Sequence, residues 1–255
     1  MKYWLLVAVC VASAFGLLAA AHLAPDLVHV GLFACYGLTG VAALITAFSY
    51  TPRDRLRWAW LAFGAGYTVA FASKIFVGDG FNVAVMSPAR VAVWSSFVIV
   101  FNAALVTAFV VFARVWVGTG MAPPWLRRAT IVFLLIALAV DAKSLLTGGR
   151  NMLAGQPWAF GFVASVASDI IVITLVGPIF ATAIALRGGI LMRPWLFLFV
   201  ASVCWLDVDV LAVLPLEVRR DPDMVLRPLA VLFGGAAAVA QLLVKRDVRA
   251  SLGDG

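Results

Sequence analysis

The sequence predicts an all-α, polytopic integral membrane helical bundle of about eight helices, and three observations carry that prediction. Of 255 residues, 64% are hydrophobic and 12% charged, whereas a soluble domain is about half apolar and about a quarter charged. The mean hydropathy is +1.07. Apolar runs of bilayer length, about 20 residues, recur eight times with short charged connectors between them. Such a composition excludes a cytosolic enzyme, a disulfide-stapled secreted domain and a disordered tail. The net charge of +7 sits in the connectors, where it sets topology and does not mark a nucleic-acid surface.

The first span, Tyr3–Leu23, follows Lys2 and closes near Ala19-Ala20-Ala21. It imitates a secretory signal, but its apolar run exceeds the usual h-region of about 7–15 residues. A turn holding His22, Asp26 and His29 leads into Leu27–Tyr50, and Arg53, Arg55 and Arg57 introduce Arg57–Val77. Val91–Val117 is the fourth span, followed by a Pro123-Pro124 connector that reads as a loop along the interface. Ala129–Leu146 is the fifth. Trp158–Leu186, the sixth, is long enough to need tilt or a kink, and Gly177-Pro178 is its hinge candidate because proline frees a backbone carbonyl. Pro194–Leu214 and Met224–Val244 complete the set, the last interrupted near its start by Arg227 and Pro228. No connector is long enough for a separate domain, so residues 1–255 read as a single transmembrane domain.

Alternate connectors differ in basic content. One side, from Lys2 to Arg249, carries 12 Lys and Arg residues; the other, from Lys74 to Arg227, carries 7. The positive-inside rule then puts both termini in the cytoplasm of a bacterial inner (plasma) membrane protein. Trp58, Trp94, Trp116, Trp125, Trp158 and Trp195 fall at span ends, where indoles anchor to the interface. Cys10, Cys35 and Cys204 lie within apolar runs without CxxC or Cys/His spacing. They read as small buried hydrophobes, with Cys10 and Cys35 expected too far apart to bridge.

A weak internal repeat runs through the later spans. Residues 72–80 align with 141–149 so that Lys74 lies over Lys143, and a further shift puts Asp207 over Asp141 and Asp209 over Lys143. Repeats of this length would be helical hairpins, all entering from the same side.

Ionisable groups at membrane depth are the candidate site. Each costs about 2.5–3.5 kcal/mol on insertion scales, so such groups are functional candidates by default. Asp169 is the deepest, near mid-span; Asp141 and Asp207 lie at similar depth or slightly outward, and Lys74, Lys143 and Asp209 in the outer third. Four carboxylates thus face two ammoniums. The bundle must neutralise the excess by holding protons or a cation, which is the chemistry of an ion- or proton-coupled carrier. The alternative is structural: Lys74 and Lys143 pair with Asp209, Asp207 or Asp141 and fix the packing.

No GxSxG, HExxH, P-loop or GxGxxG motif is present. A haem would need histidine pairs at membrane depth, and retinal a lysine in a late span; neither is present, and no cofactor is expected. His22, Asp26 and His29 form a weak metal candidate with undiagnostic spacing. Gly37, Gly40, Gly64, Gly66, Gly234 and Gly235 permit close helix approach, within the bundle or against another subunit. The leading reading is a non-enzymatic membrane-complex subunit or ligand- and lipid-sensing input module, whose partners are membrane lipids and other subunits or further copies of itself. The alternative is a small proton- or cation-coupled transporter using the intramembrane aspartates.

Overall fold

The computed structural model describes all residues except 1, 24, 78–85, 119, 121–123, 186–188, 190–191, 213–215 and 254–255, and side chains except also 25–29, 182, 185, 209–210, 212, 216–221, 223 and 252–253. The described residues form eight helices: α1 (Lys2–Leu23), α2 (Pro25–Phe48), α3 (Arg55–Val77), α4 (Pro88–Gly118), α5 (Leu126–Leu153), α6 (Trp158–Ala185), α7 (Met192–Ala212) and α8 (Leu216–Gly253). Seven of them are long and apolar enough to cross a membrane. α7, 21 residues long, is not among the seven because its described side chains run unbroken only over 192–208. At about 1.5 Å per residue it is still about 32 Å long, close to the hydrocarbon thickness, and it packs between α6 and α8.

Two boundaries differ from the sequence expectation. α5 continues seven residues past Leu146, so Gly148, Gly149 and Arg150 are helical and not connector. α8 runs 38 residues without a break through Pro222 and Pro228. In lipid every backbone group must find its partner within the segment, so prolines are tolerated where neighbouring groups satisfy the freed carbonyls.

The helices close a ring, with α1, α2, α3, α4, α6, α7 and α8 in contact in that order and α8 returning to α1 and α2. α5 stands outside, packed on α6 and marginally on α7. The pairs α3–α4, α5–α6 and α7–α8 are the three most extensive contacts, as hairpins would be. α4, however, packs on α6 instead of extensively on α5, and the aligned lysines differ: Lys74 is half-buried and Lys143 exposed.

Lipid tails are as apolar as leucine, so close packing and interhelical hydrogen bonds do the work that water expulsion does in soluble cores. α8 is the most buried span and α1 the least. Its run Gly234-Gly235-Ala236-Ala237-Ala238 lets α2 approach; a Cβ on Gly235 would lie 2.8 Å from Thr39 Oγ1. Thr39 donates to the Val231 carbonyl at 2.8 Å, and Thr46 reaches the Ala238 carbonyl at 3.0 Å. Further along α8, Gln241 donates to the Tyr50 hydroxyl at 2.8 Å, and Lys245 donates to the Ser49 carbonyl while lying over the Tyr50 ring.

An aromatic cluster fills the middle of the ring. Trp60 meets Phe63 and Phe112 with centroids 5.6 and 4.9 Å apart, and Phe63 meets Tyr67 at 4.9 Å. Trp116 and Trp195, expected at the interface, close one end of this cluster instead: they are buried, 5.9 Å apart, and Phe112 joins them edge-on. The ends of α4 and α7 converge there, so their indoles meet each other before they meet headgroups. Trp58 and Trp125 remain exposed. All three cysteines are buried and free. Cys10 and Cys35 are not bridged, as the sequence leads one to expect.

Candidate functional site

Asp169 lies near the centre of α6, a 28-residue helix beginning at Trp158. It is half-buried and lines an internal cavity of about 20 Å³, taken as the space open to the centre of a water-sized sphere. About 10–15 Å³ by that measure accommodates one water. Phe63 and Tyr67 from α3, Leu105 and Phe109 from α4, and Ser202 and Trp205 from α7 form much of the remaining wall. Four helices thus converge on one carboxyl.

The polar groups around Asp169 have a definite order. Tyr67 is 2% exposed and within electrostatic reach of both Asp169 and Tyr36. The Trp205 indole faces the Tyr67 hydroxyl, short of full hydrogen-bond geometry. Ser202 spends its hydroxyl proton on the Leu198 carbonyl at 2.9 Å. The Tyr36 ring lies 6.1 Å from that of Tyr67, and the Lys74 ammonium sits 5.8 Å over Tyr36. Asp169, Tyr67, Tyr36 and Lys74 therefore succeed one another from mid-membrane toward the end of α3 that lies away from the basic connectors.

The other candidates separate. Asp141 is 0% exposed, on the α5 face that also carries buried Ala137, Ser144 and Gly148. That face meets α6, as Gly148 demonstrates: a Cβ there would come 2.8 Å from Phe162 and from Val163. Asp141 is not among the residues lining the Asp169 cavity. Lys143 and Asp207 are both exposed, and neither forms an ion pair among the described residues. The side chain of Asp209 lies outside the described residues, as do those of Asp26 and His29; His22 is exposed at the end of α1. α6 continues as helix through the hinge candidate, Gly177 and Pro178. A side chain on Gly177 would overlap the Phe133 ring, so this glycine provides the seat for α5.

Tyr67, Tyr36 and Trp205 were not singled out from the sequence. Trp60, Phe63 and Tyr67 recur at i, i+3 and i+7, which is one helix face, and that spacing was the available signal. No known protein-family model matches the chain, and neither a curated protein nor a solved structure does.

Proposed function

We propose that this chain is a non-enzymatic integral membrane protein whose working group is Asp169, taking and releasing a proton as a small proton-coupled carrier would. One observation carries the reading: Asp169, at mid-helix, lines a water-sized cavity whose wall Tyr67 also forms. The cavity admits a water and little more, so the species handled there is a proton, and a larger solute would need a different conformation. Tyr67 and Tyr36 are groups of the right kind to pass a proton, since a hydroxyl both donates and accepts. Lys74 then lies at the end of the path away from the basic connectors. With 12 basic residues on one side against 7 on the other, we place both termini in the cytoplasm and the protein in a bacterial inner membrane.

The test is a proton flux. Purified protein in proteoliposomes with a trapped pH indicator should dissipate an imposed pH gradient, and Asp169→Asn, with an unchanged thermal midpoint, should not. Equal dissipation by both would sink the proposal.

A second reading, a subunit of a membrane complex, is favoured by a different observation. Lys143 and Asp207 are exposed, about 5 and about 8 Å outward of their helix midpoints at about 1.5 Å per residue. Charges on a lipid-facing surface call for a partner or for a route to the interface. A stoichiometric protein partner retained through gentle extraction and lost in Lys143→Leu would favour this reading over the carrier.

A further inference from the structure

A second cavity, of about 290 Å³, opens between the first turns of α1 and α7, lined by Tyr3, Trp4, Val7, Met192, Arg193, Leu196 and Phe197. It lies far from Asp169, at the end of the bundle where the basic connectors gather. Its composition is divided. Val7, Leu196 and Phe197 give an apolar wall running into the bilayer, while Arg193 brings a guanidinium and Tyr3 a buried hydroxyl to the lining.

Those polar groups have no complete set of protein partners. The Arg193 guanidinium stacks 3.9 Å over the Tyr3 ring, yet no carboxylate among the described residues lies within 4 Å of it. The neighbouring cation, Lys2, is neutralised by Asp247, whose two carboxylate oxygens accept at 2.7 and 2.8 Å. Tyr3 is 8% exposed, and its buried hydroxyl has no hydrogen-bond partner among the described residues. A buried hydroxyl without a partner is costly, and native structures nearly always supply one. Trp4, 77% exposed, flanks the mouth at the level where indoles meet headgroups.

We propose that this groove holds one anionic phospholipid of the leaflet on the basic side. Its phosphate accepts a forked pair of hydrogen bonds from Arg193 and a third from the Tyr3 hydroxyl, and an acyl chain lies along Val7, Leu196 and Phe197. The guanidinium fork matches phosphate geometry. An apolar wall continuous with the mouth distinguishes a lipid from a free phosphate, which would leave that wall empty. The proposal is independent of any proton chemistry at Asp169.

Native mass spectrometry from nanodiscs containing equal phosphatidylglycerol and phosphatidylcholine tests it. The wild type should retain one phosphatidylglycerol in preference to phosphatidylcholine. Arg193→Gln should weaken that retention about fivefold, the size of one interfacial cation. Val7→Trp, which fills the apolar wall and leaves both polar groups, should also release the lipid. If Arg193→Gln fails to fold, Tyr3→Phe carries the test, since it keeps the ring and removes only the orphan hydroxyl; retention should fall several-fold. Equal retention of the two lipids by the wild type, or undiminished retention in Val7→Trp or in a folded Arg193→Gln or Tyr3→Phe variant, would overturn the proposal, as would displacement by millimolar inorganic phosphate.

Discussion

The two sides of α6 treat an aspartate in opposite ways. Toward α3, α4 and α7, Asp169 lines a cavity bounded by a tyrosine, a tryptophan and a serine. Toward α5, Asp141 is sealed at 0% exposure on a face of small residues. Membrane depth is similar for the two, so depth alone does not decide what an intramembrane carboxyl does. Room for a water and neighbouring hydroxyls do.

The same contrast extends to packing. The α2–α3–α4–α8 side approaches closely through Gly64, Gly234 and Gly235 and is filled by stacked aromatics, whereas α5 touches mainly α6 and turns Ile131, Val132, Leu135 and Ile136 outward. The largest expected effect comes from closing that approach. Gly235→Leu puts a branched side chain where a Cβ already meets Thr39, and should abolish recovery of monodisperse protein. Gly149→Leu on α5, where nothing lies within 4 Å of the new Cβ, should leave yield unchanged. If both variants behave alike, the two regions are not differently packed.

A smaller effect is expected from Phe112→Ala. The unfolded reference sits in lipid, so the loss is mainly the cavity part of an aromatic truncation, about 2 kcal/mol. It should appear as a lower thermal midpoint, with Ile136→Ala, on the lipid-facing side of α5, within about 0.5 kcal/mol of wild type. Smaller still is the α2–α8 hydrogen bond of Thr39: Thr39→Val should cost about 0.6 kcal/mol, the average measured between membrane helices. A loss of 2 kcal/mol there would mean that hydrogen bonds, not close approach, hold this side together.

The smallest effect is a pH dependence at the α2–α8 latch. Burial raises the Tyr50 pKa above its ordinary 10.0, offset in part by the Gln241 hydrogen bond. The folded state therefore holds the phenolic proton more tightly than the unfolded chain. The stability this contributes is complete below about pH 10 and is lost as pH rises through the folded value. Tyr50→Phe should flatten the fall in thermal midpoint between pH 9 and pH 11; an unchanged slope would locate the titration elsewhere.

Helix number and approximate bounds were legible in the sequence because the bilayer imposes one length on every span, and α1–α4 match their apolar runs within a few residues. The depth of Asp169 was legible for the same reason. Its surroundings were not, since Tyr67 and Trp205 come from helices separated by about a hundred residues and meet it only through tertiary packing. The alternative that Lys74 and Lys143 pair with Asp209, Asp207 or Asp141 rested on linear position, which does not show that α5 stands outside the ring or that Lys143 and Asp207 are exposed. Arg193 over Tyr3 joins the first helix to the seventh, and no local pattern marks such a pair.

The central claim is that Asp169, and not Asp141, exchanges a proton. Infrared spectroscopy of the protein in lipid, titrated through pH with the carboxyl C=O stretch as readout, addresses it directly. We expect a titrating band above 1,700 cm⁻¹, the order of frequency at which protonated carboxyls absorb, that disappears in Asp169→Asn and persists in Asp141→Asn, consistent with a site open to water on one side of α6 only. A titrating band that survives Asp169→Asn unchanged, or vanishes in Asp141→Asn alone, would contradict the account.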